Sequence, residues 1–238
     1  RLVIYDLERQ TTTTFLQEPN IYGAIWNEGG TAITYGKTHS DSSSIMTREL
    51  NSSKGSNTIL TGQGDLGPYD WSSDNRYLIY SQTTGSSDKL SVFDTIDSTS
   101  VTLIELDGRA WSGKFSPDNS LIAYTHIASQ GSEILVEPFP PTGQRWNVSS
   151  GTGEEPEWRE DTNELIFRGK GAWYSVAYET DPPSFEAPQY LFEGPYVNIG
   201  GLEYRVINNG NVLLQESVNK EFFTNRIEVI TNFNSVVR

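Results

Sequence analysis

The ten residues Phe115–Tyr124 read FSPDNSLIAY, and they decide the fold because the same pattern recurs along the chain. A large apolar residue is followed by a polar turn and then by an apolar run that ends in an aromatic residue. Five segments align over ten residues without gaps: Trp26–Tyr35, Trp71–Tyr80, Phe115–Tyr124, Trp158–Phe167 and Val206–Gln215. Their first residues recur every 43 to 48 positions, which is the mark of a repeat protein.

Within each segment, the apolar positions and the turn residues predict a β-hairpin. Gly, Asn and Asp between the two apolar parts tolerate the positive φ of tight hairpin turns. The eighth position is always aliphatic, at Ile33, Leu78, Ile122, Leu165 and Leu213. The tenth is aromatic in four of the five segments, at Tyr35, Tyr80, Tyr124 and Phe167.

Two further strand-like runs follow each hairpin. The first run is β-branched or aromatic, at Ile45–Leu50, Leu90–Asp94, Ile134–Pro138, Trp173–Tyr178 and Ile227–Thr231. The second is short, as at Asn57–Leu60, Val101–Ile104 and Arg145–Val148. Four strands in every repeat of about 44 residues, without a helical pattern, are typical of a propeller blade. The sequence therefore predicts an all-β protein, a β-propeller of four-stranded blades.

We expect a single propeller domain over residues 1–238, with blade segments at 1–20, 21–64, 65–108, 109–152, 153–197 and 198–238. Leu2–Asp6 and Thr12–Leu16 match the third and fourth strands of a blade, and the last segment stops after a third strand. The end pieces either combine into a fifth blade or belong to an incomplete six-bladed parent. Because Arg1 enters in mid-blade and would leave an unpaired strand edge, we expect a longer parent chain.

Composition excludes several classes of protein. The 238 residues carry 17 Lys and Arg against 31 Asp and Glu, a net charge of −14, so nucleic acid and anionic lipid are poor partners. Mean hydropathy is −0.48, and no apolar run approaches the ~18 residues of a membrane span, so we expect no membrane insertion. The chain has no cysteine, which excludes disulfides, a thiolate nucleophile and cysteine-ligated metals.

The repeat resembles a known family. Phe115–Asn119, followed by Leu121–Tyr124, is similar to the Trp/Phe-Ser-Pro-Asp-Gly repeat of TolB-like and WD-like propellers. The order of EILVEP, WNVSSGT, EPEW, ELIFR and LFEGPY, from Glu133 to Tyr196, resembles propellers fused behind bacterial serine/threonine kinases. The resemblance implies a bacterial protein-interaction or sensor domain without shared catalytic residues, and it favours an extracytoplasmic location. The chain departs from the family pattern at Thr162, where a β-branched residue is costly if the turn needs positive φ.

No catalytic motif stands out. A Gly-x-Ser-x-Gly nucleophile elbow, a phosphate-binding loop and kinase signatures are all missing from the sequence. A Ser-His-acid triad would need His39 or His126, which we interpret as loop-supporting or surface residues. We therefore predict no catalytic residue, no metal site and no cofactor.

The residue just before each repeat anchor occupies the strand that lines the channel of a propeller. These positions hold Ile25, Asp70, Lys114, Glu157 and Arg205, so that four charges alternate in sign. Alternation favours mutual neutralisation between neighbouring blades. We take Asp70, Lys114, Glu157 and Arg205 as candidate binding residues. In the alternative, Asp70 and Glu157 act as the acid and base of a glycoside hydrolase.

Other acidic and aromatic groups have two interpretations each. The cluster Glu154, Glu155, Glu157, Glu160 and Asp161 could bind Ca²⁺, but it lacks a calcium-loop spacing, and we expect a solvated rim. We expect the turn acids Asp74 and Asp118 to bond their own turn backbone, and the anchors Trp26, Trp71 and Trp158 to be core. The remaining aromatics form either a recognition surface or packing between the last blades: Tyr190, Phe192, Tyr196, Phe222 and Phe223.

Taken together, these features predict a non-enzymatic propeller that binds a protein or peptide, with preference for a basic partner. The alternatives are a small-ligand or calcium sensor and a glycoside hydrolase that uses channel carboxylates.

Overall fold

A computed structural model describes residues 1–6, 8–85, 87–103, 109–149, 151–194, 204–207, 211–215 and 227–230. Every regular element in these ranges is a β-strand. The chain divides into two compact units, Arg1–Leu106 and Asp107–Arg238. Across the described ranges, no helix has the length and apolar character needed to cross a membrane.

The strands of the first unit pair antiparallel with their neighbours in sequence. They form a pair β1–β2 and two four-stranded groups, β3–β6 and β7–β10. Their bounds are β1 Leu2–Asp6, β2 Thr11–Leu16, β3 Ile21–Trp26, β4 Ala32–Thr38, β5 Ser43–Glu49, β6 Asn57–Gly62, β7 Asp65–Trp71, β8 Tyr77–Thr84, β9 Ser87–Asp94 and β10 Thr99–Thr102.

The second unit repeats this arrangement. Its strands are β11 Arg109–Phe115, β12 Leu121–Ala128, β13 Gly131–Pro138, β14 Trp146–Asn147, β15 Glu154–Arg159, β16 Glu164–Gly169, β17 Ala172–Thr180, β18 Pro183–Phe185, β19 Gln189–Glu193, β20 Tyr204–Ile207, β21 Asn211–Gln215 and β22 Ile227–Ile230. Strands β11–β14 pair in order, β18 and β19 both pair with β17 after β15 and β16, and β20–β22 form a three-stranded group.

The predicted architecture of four antiparallel strands in a repeat is confirmed for the four segments between residues 21 and 197. Each predicted third strand is found, and the observed strand bounds differ from the predicted ones by at most three residues, as β5 and β13 show. The predicted pairing of the first two strands is also present, with Tyr5 opposite Thr12. The count of five or six blades and the extent of one domain over 1–238 stay predictions.

The same set of hydrogen bonds closes the hairpins of the second and third repeats. The Ser116 hydroxyl donates to Asp118 at 2.7 Å and accepts from the backbone N–H of Leu121 at 2.9 Å. Asp118 in turn accepts from the N–H of Ser120, and Asn119 takes a φ of 59°. Ser72, Asp74 and Asn75 repeat the arrangement, with a φ of 57° at Asn75. Asp74 and Asp118 thus bond their own turns, as expected.

In the fourth hairpin, the left-handed conformation falls on the residue that follows Thr162. Asn163, and not Thr162, takes the positive φ, at 50°. Asn tolerates this conformation because its short amide can bond locally, whereas a β-branched residue cannot adopt it cheaply. The Thr162 hydroxyl is left to donate to Glu164 at 2.6 Å. The hairpin therefore closes without strain at Thr162.

The repeat's eighth and tenth positions form the core of the described hairpins. Leu78, Ile122 and Leu165 are fully buried, as are Tyr35 and Tyr124. A buried phenol needs a hydrogen-bond partner, and each tyrosine finds one further along its own blade. These partners are Ser56 for Tyr35, Ser100 for Tyr80 and Glu137 for Tyr124. Phe167 has no hydroxyl, and its ring stacks on Tyr174 instead.

Two of the three tryptophan anchors link neighbouring strand groups. The indole N–H of Trp71 donates to the Thr34 hydroxyl, and that of Trp158 donates to the carbonyl oxygen of Lys114, both at 3.1 Å. The prediction that all three anchors are core is wrong for Trp26, which is 48% exposed. Its side chain lies at the end of β3, beyond the buried Ile25.

We predict that Ser116→Ala lowers the free energy of unfolding by about 1–3 kcal/mol, because it leaves the buried N–H of Leu121 without its acceptor. Urea unfolding followed by tryptophan fluorescence measures this change. Ser184→Ala, at an exposed serine on β18, is the control and should stay within about 0.5 kcal/mol of the parent. Equal effects of the two substitutions would contradict the role of the turn network.

Candidate functional site

Four first strands of the repeat carry a β-bulge at the same place. One extra residue is inserted between Tyr22 and Ile25, between Pro68 and Asp70, between Trp111 and Lys114, and between Glu154 and Glu157. Three of the bulges contain a left-handed residue, namely Gly23, Ser112 and Glu155. A bulge bends its strand and changes where the next side chain points. The residues that follow these bulges occupy the position predicted to line the channel.

The structure joins three of the four candidate residues into one chain of ion pairs. Glu157 lies between two cations, with the Lys114 ammonium 3.3 Å from its Oε1. One guanidinium nitrogen of Arg205 donates to the same carboxylate, at 2.9 Å to Oε1 and 3.2 Å to Oε2. The side chains of Lys114 and Glu157 are 3% and 9% exposed, whereas that of Arg205 is 36% exposed. The fourth candidate, Asp70, holds the equivalent position on β7 in the first unit.

This arrangement neutralises buried charge between successive repeats. Lys114, Glu157 and Arg205 come from β11, β15 and β20, the first strands of their groups. A glycosidase pair places two carboxyl groups about 5–10 Å apart across the substrate. In the second unit, the groups on both sides of Glu157 are cations, so the local chemistry is that of a structural ion-pair chain. The binding role of these four residues stays a prediction.

A second buried carboxylate lies two residues away. Glu155 is 1% exposed, and its Oε2 lies 3.5 Å from Nε of Arg168. The Arg168 guanidinium also donates to Glu154 at 3.2 Å. The Tyr204 hydroxyl donates to the carbonyl oxygen of Glu155 at 2.5 Å. Burial, together with the charges of Glu157 and Glu155, raises the pKa of Tyr204 well above its ordinary value, so this phenol stays a hydrogen-bond donor.

The predicted acidic rim is therefore wrong for part of the cluster. Glu155 and Glu157 are buried in ion pairs, and Asp161 is paired with Arg159 at 3.0 Å. Glu160 and Asp161 are exposed and fit the solvated interpretation, although Asp161 also pairs with Arg159. In the same ranges, no three His, Cys, Asp or Glu side chains come together that could hold a metal ion.

His39 supports its loop, as expected, whereas the prediction of a loop-supporting or surface residue is wrong for His126, which lies buried within β12. His39 contacts the Ser44 hydroxyl through Nε2 at 3.1 Å. His126 is 6% exposed, and its Nδ1 lies 2.9 Å from a carboxylate oxygen of Glu133. These contacts hold each imidazole beside its own sheet.

The aromatic candidates separate into surface and core. Tyr190 is 57% exposed, whereas the Phe192 ring stacks parallel on Trp173 with centroids 4.8 Å apart. Tyr196, Phe222 and Phe223 lie outside the described residues. Phe192 therefore belongs to a packed cluster with Ile166, Trp173 and Tyr204, and of the two described candidates Tyr190 is the one exposed as a surface anchor.

Sequence reasoning missed Arg168 and Tyr204, two of the residues that contact Glu155. Arg168 follows the buried run Leu165–Phe167, and a cation directly after a core strand segment was a usable signal. Tyr204 gave no such signal, because the partners of its hydroxyl, Glu155 and Ile166, are 49 and 38 residues away in sequence.

We predict that Glu157→Gln destabilises the fold by about 3 kcal/mol, because it removes the carboxylate charge that pairs with both the Lys114 and the Arg205 cation. Chemical denaturation at neutral pH measures the loss. Glu193→Gln makes the same change of charge at an exposed site and should shift stability by no more than about 0.5 kcal/mol. An E157Q variant as stable as the parent would show that the ion pairs contribute nothing.

Comparison with solved structures identifies the fold. A putative TolB from Agrobacterium tumefaciens matches with a TM-score of 0.69 at 13% identity, over 94% of this chain and 86% of that one. A chain of the nidogen–laminin complex matches at 0.65 and 14% identity, over 89% and 80%. TolB from Acinetobacter baumannii matches at 0.60 and 16% identity, over 79% of this chain, and the match spans only half of the length of that TolB chain.

Enzymes share this fold as well. An oligogalacturonate lyase in complex with manganese matches with a TM-score of 0.63 at 13% identity, over 90% of this chain and 64% of that one. No protein-family model matches the chain, and no curated protein matches its sequence. At such identities the likeness shows the fold alone. The repeat, the strand order and these structures together show that the chain has a β-propeller fold similar to that of the TolB structures.

Proposed function

We propose that this propeller is a non-enzymatic platform that binds a basic protein or peptide. The observation that carries the proposal is the distribution of charge. The excess of acid is not held inside the fold, because the buried carboxylates lie beside cations. Glu157 lies beside Lys114 and Arg205, and Glu137 accepts from Arg145 at 2.6 Å.

The surface, in contrast, is dominated by carboxylates. Among the described residues, seven Lys and Arg are exposed, namely Arg1, Arg9, Lys54, Lys89, Arg109, Arg145 and Lys170. Fourteen acids are exposed, namely Glu8, Glu28, Asp41, Glu49, Asp65, Asp74, Asp97, Asp118, Glu160, Asp161, Glu179, Asp181, Glu186 and Glu193. A surface with twice as many negative as positive groups attracts basic partners over a Debye length and repels acidic ones.

The comparisons support a binding role at the level of the fold. The structure of the nidogen–laminin complex contains a chain of this fold within a protein–protein assembly. The fold also serves an oligogalacturonate lyase, so the fold by itself does not decide between binding and catalysis. The ion pairs on Glu157 favour binding, because a carboxylate between two cations is already neutralised by protein groups.

We predict that selection from a random displayed peptide library enriches Lys- and Arg-rich sequences. A selected peptide should bind at least ten times more weakly in 0.5 M salt than in 0.05 M salt, because exposed charges are screened at high ionic strength. Isothermal titration with the synthetic peptide gives both dissociation constants. A scrambled peptide of the same charge is the control, and it should bind more weakly than the selected sequence.

Two results would contradict the proposal. One is enrichment of neutral or acidic peptides, and the other is an affinity that does not change with salt. The hydrolase alternative makes its own prediction, namely sugar hydrolysis that Asp70→Asn and Glu157→Gln abolish.

A further inference from the structure

A cavity of about 280 Å³ lies in the second unit, between two hairpin turns and the end of a strand. The β11–β12 turn contributes Asp118, the β15–β16 turn contributes Glu160 and Asn163, and β17 contributes Tyr178 and Glu179. Sites for drug-sized molecules occupy roughly 300–1,000 Å³. This cavity is therefore of a size to take one side chain or a small ligand.

The corresponding turns of the first unit are joined by a clamp that cannot form at the cavity. There, the N–H of Glu28 donates to the Asn75 side-chain oxygen at 2.9 Å, and the Asn75 amide returns a bond to the Glu28 carbonyl at 3.3 Å. Aligned repeats place Pro117 at the position of Glu28 and Thr162 at that of Asn75. Proline has no N–H and threonine has no amide. These two substitutions remove the groups that would close the gap.

A buried phenol faces the cavity. Tyr178 is 7% exposed, and its ring packs edge-on against Trp158 with centroids 4.7 Å apart. Burial, together with the charges of Asp118 and Glu160, raises the pKa of Tyr178 to about 12. The hydroxyl therefore lies near both carboxylates and stays protonated at neutral pH. Within the described residues, no group forms a hydrogen bond with this hydroxyl, and its oxygen stays accessible to solvent although most of the side chain is buried.

Three acidic residues line the cavity without a compensating cation. In the described ranges, no Lys, Arg or His forms an ion pair with Asp118, Glu160 or Glu179. Burial opposes ionisation of Asp118, but hydrogen bonds from Ser116, Ser120 and Thr180 hold its pKa below the ordinary value. The cavity therefore carries negative charge at neutral pH and disfavours anions.

We infer that this cavity binds the ammonium or guanidinium group of a Lys or Arg side chain on a partner polypeptide. Such a group supplies several N–H donors to the three carboxylates and to the Tyr178 oxygen, and a positive charge balances theirs. Because the described carboxylates do not converge as metal ligands do, an extended organic cation suits the cavity better than a metal ion. The assignment to a polypeptide rests on the proposed function, whereas the cation site itself does not.

Small cations test the site on the protein alone. Butylguanidinium and butylammonium are the probes, and butanol is the neutral control. Backbone ¹H–¹⁵N spectra should show saturable shifts for the two cations at Asp118, Asn163, Tyr178 and Glu179, and none for butanol. Shifts spread over the whole surface, or no saturation, would overturn the site. Calcium chloride that produces the same shifts at lower concentration would overturn it in favour of a metal site.

Matched variants distinguish binding at the cavity from attraction to the general negative charge of the surface. Glu160→Gln with Glu179→Gln should weaken butylguanidinium binding at least tenfold. Glu186→Gln with Glu193→Gln removes two exposed acids of the same unit that lie outside the cavity. This double variant should change the affinity for butylguanidinium less than twofold. Tyr178→Phe should weaken binding several-fold through loss of the hydroxyl. Equal weakening by both double variants would overturn the inference. Unchanged melting temperatures of the glutamine variants, which alter exposed residues, show that folding is intact.

The peptide selected from the displayed library then tests whether the cation in the cavity comes from a polypeptide. If the cation site is correct, Glu160→Gln with Glu179→Gln weakens binding of the peptide as much as it weakens binding of butylguanidinium. A protein that binds the small cations but no basic peptide would refute the proposed function and the polypeptide assignment, and it would leave the cation site standing. A protein that binds basic peptides with unchanged affinity in the double variant would refute the inference and leave the proposed function standing.

Discussion

One extra residue in each of four first strands decides which side chain takes the position predicted to line the channel, and in the second unit these side chains are Lys114 and Glu157. The bulge before Glu157 contains Glu155 in a left-handed conformation, which costs a non-glycine residue about 1–2 kcal/mol. The Thr125 hydroxyl accepts from the Glu155 N–H at 2.9 Å, and this bond helps to offset the cost. The bent strand then brings the Glu157 carboxylate between Lys114 and Arg205. Backbone irregularity and ion pairing are thus parts of one arrangement.

This arrangement has an electrostatic consequence for the whole molecule. Burying a carboxylate is expensive unless a cation compensates for its charge, and each described buried acid has such a cation in Lys114, Arg145, Arg168 or Arg205. Some of the 17 basic residues of the chain are therefore engaged as partners of buried carboxylates. The surface is left with unbalanced carboxylates, and the charge that makes a basic partner attractive follows from the way the interior is stabilised.

The turns add local detail to this surface. Where Glu28 and Asn75 clamp neighbouring turns together, the gap is closed. Where Pro117 and Thr162 take their places, the gap holds a cavity with three carboxylates and a phenol. The same repeat can therefore be sealed at one position and open at another through two substitutions, while the strands beneath keep their pairing. A propeller permits this difference, because its blades hold the turns rigidly while the residues of the turns vary.

The sequence by itself determined the period, the hairpins and their turns, since these depend on neighbours within ten residues. Ser116, Asp118 and Asn119 specify their turn locally, and alternating apolar positions specify the buried face. It also indicated that Lys114, Glu157 and Arg205 share one position, because a repeat makes such positions equivalent. Only the tertiary structure decided that Glu155 is buried beside Arg168, that Trp26 is exposed, that Asn163 replaces Thr162 as the left-handed residue, and that a cavity opens at Tyr178. Most of these features depend on groups that are distant in sequence, and the choice of Asn163 depends on how the folded hairpin distributes its strain. Local patterns alone do not bring these groups together.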